Sequence, residues 1–179
     1  MPEAEVSIRL AEYLSELDGF DGHVDVAIDG ASVAVQGAVI FDIASYMRTY
    51  GWSLIAGSST GKNAWAATYG RNGATMKVHS HPGKGDVVAS IGGRKVIAEC
   101  KKGPLIMKVG SPELPLLYAA LGQAILFNAD EDDIVIAAVP DTSRFQRIAA
   151  DWRERPRLKR AGIQIVLVSR TGAVSGLVL

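Results

Sequence analysis

The sequence predicts an α/β fold, and three observations carry that prediction. Segments with apolar residues at helical spacing alternate with short β-branched runs. Glycine and Asp-Gly or Gly-Gly pairs punctuate the segments. The chain has 179 residues, 48% of them hydrophobic, which suffices to bury one sheet between helices.

The elements follow in order. Residues 3–17 place Val6, Leu10, Tyr13, Leu14 and Leu17 on one helical face, with acids on the other. Residues 24–28 and 32–36 flank Asp29-Gly30 and read as a hairpin. Residues 37–50 read as a helix with Val39, Ile43, Tyr46, Met47 and Tyr50 inward, closed by Gly51. A short strand over 52–56 precedes a Gly/Ser/Thr/Asn-rich loop over 57–73. Strands are expected over 74–78, 86–91 and 95–101, the last two joined by Gly92-Gly93. Ser111-Pro112 signals the start of a helix over 112–128. A strand follows over 133–139. Asp141 or Thr142 then caps a helix to about Arg155, where Pro156 ends or kinks it. A strand over 163–169 and a returning segment over 174–179 close the chain.

The net charge is zero, so no global field attracts nucleic acid or membrane. Its distribution is uneven. Residues 1–45 hold nine acids and one base, whereas residues 60–110 hold nine bases and only Asp86 and Glu99 as acids. Two isolated carboxylates in a basic zone favour a polyanionic partner. The single cysteine, Cys100, excludes a disulfide framework or a cysteine zinc site within one chain. The opening MPEAEVS lacks the basic and apolar regions of a signal peptide, and no apolar stretch is long enough to span a bilayer. A cytoplasmic protein without membrane contact is expected.

The chemistry centres on the Gly92-Gly93 turn. If those residues form a two-residue loop, Ile91 faces Arg94 and Asp86 faces Glu99. Glu99 and Lys101 then share a face with Asp86, while Val87, Ala89, Val96, Ala98 and Cys100 point to the core. Like charges opposite each other cost roughly 0.2–1 kcal/mol in exposed pairs, and more when buried. A hard cation removes that repulsion. Mg²⁺ typically takes one or two carboxylates and keeps its other positions for water and phosphate oxygens. Lys101 can orient or deprotonate a water, or neutralise charge on phosphate. On the pattern alone, an exposed hairpin with a Glu/Lys pair on its wet face is an equal reading. The basic zone and the preceding SHPGKGD run favour chemistry.

The segment HPGKGDVVASIGGRKVIAECKKG resembles the active-site motif of the PD-(D/E)xK, or restriction-endonuclease-like, nuclease superfamily. In that pattern Asp begins one strand and Glu-x-Lys lies on the next, here Asp86 and Glu99-Cys100-Lys101. The wording is most similar to the Holliday-junction-resolvase, Mrr and VRR-like branches. The resemblance implies a three-layer α/β/α fold with a central mixed sheet and an αβββαβ core. It implies a nuclease core over 37–179, its motif elements within 37–139, and an N-terminal helix-hairpin extension over 1–36. It also implies Mg²⁺ or Mn²⁺ held by Asp86, Glu99 and the Cys100 carbonyl, with Lys101 at the attacking water. Many members carry a further Glu on the helix before the first strand, where Asp42 and Gln36 are the candidates here. Several carry a glutamine on the helix after the motif, as Gln123 does; an ordinary polar helix residue is the equal alternative. Gly85 departs from the pattern, which usually has Pro before the Asp.

These readings predict a metal-dependent endonuclease acting most simply on DNA. Lys62, Arg71, Lys77, His81, Lys84 and Lys102 are the expected nucleic-acid contacts. Cutting both strands needs two sites, so a homodimer is expected. A ribonuclease of the same fold and a catalytically inactive nucleic-acid-binding module are the rivals. Residues 57–62 (GSSTGK) lack the spacing and the following Ser or Thr of a phosphate-binding P-loop. His79 and His81 lack partners for a closed zinc site.

Overall fold

The computed structural model describes residues 1–57, 64–81, 83, 85–105 and 112–179. Helix α1 (Glu3–Ser15) opens the chain and strand β1 (Phe20–Ala27) follows. A short 3-10 helix (Gly30–Ser32) and the small ribbon β2 (Ala34–Val35) and β3 (Ala38–Val39) lead to α2 (Ile43–Thr49). Next come β4 (Ser53–Gly57), β5 (Ala67–Arg71), β6 (Ala74–His79), β7 (Val87–Ile91) and β8 (Arg94–Cys100). Helix α3 (Glu113–Ala124), β9 (Ile134–Pro140), α4 (Ser143–Arg153), α5 (Pro156–Ala161), β10 (Ile163–Val168) and β11 (Val174–Ser175) complete it.

Nine of these strands form one mixed sheet in the order β11-β10-β9-β8-β7-β1-β6-β5-β4. The pairs β8/β9, β9/β10 and β1/β6 are parallel, and the others are antiparallel. Side chains alternate across this sheet, and alternate residues feed different clusters. Val24, Val87, Val96, Ile136 and Val166 pack with α1 residues such as Ile8 and Leu14. Val139, Ile165 and Leu167, one residue out of phase, pack with Leu117 of α3 and with Phe145 and Trp152 of α4. Fully burying one such aliphatic side chain contributes about 1.5–3 kcal/mol, so these clusters carry the sheet–helix packing. In α3, Leu117, Ala120 and Ala124 share one buried stripe. Pro115 falls in its first turn, where the missing N–H has no intrahelical partner to lose.

Several expectations give way here. Asp29-Gly30 does not close a hairpin. Asp29 instead caps the 3-10 helix by accepting the Ala31 N–H at 3.1 Å. β1 pairs with β6 and β7, more than 45 positions away in register, and sits inside the sheet. The N-terminal helix and strand are therefore not an appended hairpin. The helix expected over 37–50 begins only at Ile43, because Asp42 caps it through a bond from the Ser45 N–H at 2.9 Å. The loop expected over 57–73 contains β5, which pairs with both β4 and β6. Residues 58–63 of that loop, and Ser111 of the α3 start signature, lie outside the described residues.

The acids of α1 fall on the face away from its apolar residues, where exposure to water is the usual outcome. Instead Glu5, Arg9 and Glu12 are buried. Glu5 pairs with Arg9 at 3.0 Å and Arg170 at 3.2 Å. Glu12 accepts bonds from Tyr46 at 2.6 Å, Trp52 at 3.3 Å and Arg71 at 2.6 Å. α1 is thus covered on both sides, by the sheet and by α2 side chains, and its charges are satisfied by residues far along the chain.

Candidate functional site

The β7–β8 hairpin is the foundation of the site. Gly92 (φ +59) and Gly93 (φ +79) both take positive φ, as a two-residue primed turn requires. Ile91 pairs with Arg94 and Val87 with Ala98, the register expected from the sequence. The ladder ends at that pair, and Asp86 stands one residue beyond it, beside the Glu99–Cys100 end of β8. Asp86 donates its N–H to the Ala98 carbonyl at 2.8 Å and accepts the Cys100 N–H on Oδ2 at 2.8 Å. The first bond falls one residue outside the ladder register, and the second holds the carboxyl against the neighbouring strand.

The electrostatics follow from this placement. Burial, and then the charge of Glu99, push the Asp86 carboxyl up to about 7. Lys101 Nζ donates to Glu99 Oε1 at 2.5 Å and lies 3.9 Å from Glu3 Oε1. Burial works against the Lys101 charge, but the Glu99 bond and the Glu3 charge outweigh it and hold the ammonium above its ordinary range. Burial also raises Glu3, against the opposing charge of Lys101. The Cys100 side chain is fully buried on the α1 side of the sheet, so only its backbone is available to the site.

A pocket of about 640 Å³ opens over the two carboxylates. Asp86 and Glu99 line one wall, with Asp29, His81, Gln123 and Phe127 around them. The structure therefore brings Gln123 and His81 to the same cavity as Asp86 and Glu99. Gln123 gets there because α3 returns over β8, turning its exposed side toward the pocket.

Other expected residues lie elsewhere. Asp42 is committed to capping α2 and does not line the pocket, and Gln36 sits in the β2–β3 turn at φ +49. Arg71 is not a free surface cation. It bonds Glu12 and Glu16, each at 2.6 Å, and stacks over the Trp52 ring at 4.6 Å. Lys77 is exposed on β6, opposite Asp25, and Lys102 is exposed beside the site. Lys62 and Lys84 lie outside the described residues. Two participants escaped the sequence reading. Glu3 approaches Lys101 from the first turn of α1, and Asp29 lines the pocket from the end of β1. An acid at the start of an amphipathic helix is an ordinary feature, so nothing in the sequence singled out Glu3.

Among the described residues, no group of three or more His, Cys, Asp or Glu side chains is arranged to hold a metal ion. The site offers two carboxylates, a donor set suited to Mg²⁺, which keeps most of its positions for water and substrate. No helix of the described residues is long and apolar enough to cross a membrane. Compared with protein-family models, with curated proteins and with solved structures, the chain matches none.

Proposed function

We propose that this protein is a divalent-cation-dependent endonuclease of the PD-(D/E)xK type that hydrolyses phosphodiester bonds in DNA. The observation that carries the reading is the neighbouring pair Asp86 and Glu99, buried enough to lift Asp86 to about 7, with the Lys101 ammonium at Glu99. The element order supports it in a form different from the one the sequence suggested. The helix-strand-strand-strand-helix-strand series is α1, β1, β7, β8, α3 and β9, with residues 28–79 as an insertion that adds β4–β6 to the sheet. In this arrangement α1 is the first helix of the core, with α1 and α3 as its outer layers. The acid near the site from that helix is Glu3 rather than Asp42.

Asp86, Glu99 and the Cys100 carbonyl would hold Mg²⁺ or Mn²⁺. When bound, such an ion supplies charge for the scissile phosphate and acidifies water. The protein's own residues do the rest. Lys101, kept protonated by Glu99 and Glu3, places positive charge where the phosphate gains negative charge. A firmly protonated ammonium is a poor base, so Lys101 orients and neutralises rather than accepts a proton. Gln123 and His81 line the same pocket and are placed to contact the substrate. The basic zone contributes less free charge than its composition implies, because Arg71 and Lys101 are already paired with α1 acids. Among the described residues, Lys77 and Lys102 remain for the phosphate backbone. A cytoplasmic setting and a homodimer with two cutting sites belong to this reading.

The test is cleavage of supercoiled plasmid with Mg²⁺ or Mn²⁺, beside linear duplex, branched DNA and RNA. Asp86→Ala, Glu99→Ala and Lys101→Ala are run in parallel. Wild type should nick the plasmid, EDTA should abolish nicking, and each variant should lose about 10²-fold or more. Equal nicking by all three folded variants would sink the site. Cleavage of RNA alone would move the substrate to ribonucleic acid.

A further inference from the structure

Helix α3 carries two apolar stripes, one buried on the sheet and one only partly covered, with Tyr118 against the Trp152 ring at 5.0 Å and Leu121 against the core. Leu117, Ala120 and Ala124 lie on the sheet. Tyr118, Leu121 and Ile125 follow the same helical spacing on another side. Tyr118 is 59% and Ile125 63% exposed. This second stripe borders a groove of about 460 Å³ that runs between α3 and the α4–α5 turn, with Trp152 and Leu158 on the far wall. Gly122 sits in the stripe. An interior glycine weakens a helix, yet a Cβ at this position would meet nothing within 4 Å. Packing inside the chain does not call for a glycine there. A flat spot between Tyr118 and Ile125 does admit a second helix at close range.

The charges at the two ends of the groove are opposite. Arg157 and Arg155, the latter paired with Asp151 at 2.6 Å, flank it at the start of α5. Beyond Ile125 and Ala161 it continues into a second hollow bordered by Asp130, Glu131, Asp133 and Arg160; Asp133 is paired with Lys95, so the hollow keeps a net negative charge. Among the described residues, Arg157, Asp130 and Glu131 make no salt bridge. A patch that is cationic at one end, apolar in the middle and anionic at the other is complementary to its own copy turned by a two-fold rotation. Each cationic end then meets the partner copy's anionic end over a shared apolar centre.

We propose that this groove is the interface of a two-fold homodimer, with α3 of one copy crossing α3 of the other near Gly122. Arg157 of each copy faces the acidic 130–131 loop of its mate. The proposal rests on the homodimer of the reading above and names its surface, and its test uses no substrate, so it can fail while the cleavage test succeeds. Gln123 and Leu126, on the adjoining side of the same helix, line the carboxylate pocket, so the interface also fixes the relation between two pockets.

Analytical ultracentrifugation of the full chain at tens of micromolar tests it without any substrate. Wild type should sediment as a dimer. Ile125→Asp should sediment as a monomer. Arg157→Glu and Glu131→Arg should each weaken the dimer about a hundredfold, because a two-fold contact occurs twice. Their one-to-one mixture should restore a dimer, which native mass spectrometry identifies as the heterodimer, since each altered end then meets its opposite. Circular dichroism checks that the surface variants stay folded. A monomeric wild type overturns the proposal. So does a dimer that survives Ile125→Asp, or a mixture of the two charge variants that stays monomeric.

Discussion

The Lys101 ammonium bonds Glu99 at 2.5 Å, while Asp86, across the strand, receives the Cys100 backbone N–H at 2.8 Å. The two carboxylates are neighbours but are compensated unequally. Glu99 has a cation as its partner, and Asp86 has a neutral donor and an anionic neighbour. Burial and that neighbour together account for the raised Asp86 carboxyl.

This imbalance predicts a pH-dependent stability in cation-free buffer. Asp86 titrates at about 7 in the folded chain against an ordinary 3.8, so folding favours its protonated form. The stabilisation is fully present below about pH 4 and is lost as pH rises through about 7, by no more than about 4 kcal/mol. Urea unfolding at pH 5 and pH 8 should show wild type weakening over this interval. Asp86→Asn should remove most of the slope and be the more stable chain at pH 8. An unchanged slope in Asp86→Asn would place the effect elsewhere.

Cation binding should act on the same proton. A bound Mg²⁺ or Mn²⁺ requires Asp86 ionised, so binding near pH 6.5 should release a proton, with less released at pH 8.5. Calorimetry in buffers of different ionisation enthalpy measures that number. A saturating cation should also raise the melting temperature of wild type, since about 100 Kd of a ligand contributes about 2.7 kcal/mol. Glu99→Gln should lose both effects.

The legible parts of this molecule are local, and the illegible ones depend on distant partners. The Gly92-Gly93 turn fixes the register from Ile91–Arg94 to Val87–Ala98, so the nearness of Asp86 to Glu99 was legible in the spacing. The helix of α1 was equally plain, but the burial of Glu5, Arg9 and Glu12 was not. Their partners include Arg170, Tyr46 and Arg71, and nothing in residues 3–15 announces them. For the same reason Arg71 resembled a free cation in a basic zone. β1 has its ladder partners in β6 and β7, so the nearby Asp29-Gly30 pair suggested a hairpin that long-range pairing overrides. Glu3 joined the site only once β1 became an interior strand and drew α1 over the sheet.

Arg71 separates a structural cation from a substrate contact. Its guanidinium bonds Glu12, which is 8% exposed, and Arg71→Ala would leave that carboxylate buried with only neutral donors. Removing one member of such a buried pair costs about 3–5 kcal/mol. Tyr46→Phe deletes one neutral hydroxyl from the same carboxylate and should cost about 1–2 kcal/mol. Urea titrations give both values. Below the unfolding transition, the affinity of Arg71→Ala for duplex DNA should equal that of wild type. A drop in affinity without a drop in stability would return Arg71 to the nucleic-acid surface.

Gly85 is the point where fold and site constrain each other most tightly. A Cβ there would lie 2.7 Å from Ile97 Cγ2 and 3.1 Å from the Ala98 carbonyl oxygen. That carbonyl is the acceptor of the Asp86 N–H, so any shift that relieves the clash pulls on Asp86 and its carboxyl. The same crowding, with φ at +157, excludes the proline that the PD-(D/E)xK pattern usually has before its Asp, because proline holds φ near −65°. Gly85→Ala should therefore lower stability by about 1–3 kcal/mol, as overpacking does. It should also reduce plasmid nicking in the fraction that remains folded. Gly83 is the control two residues away. A Cβ at Gly83 would meet only ordinary contacts of 3.5 Å and longer, so Gly83→Ala should stay within about 0.5 kcal/mol of wild type. Thermal melts of the two variants, with nicking rates measured well below each transition, separate a local effect at Asp86 from a general loss of fold. Equal nicking by folded Gly85→Ala would mean that the Asp86 carboxyl is held by its Cys100 bond alone.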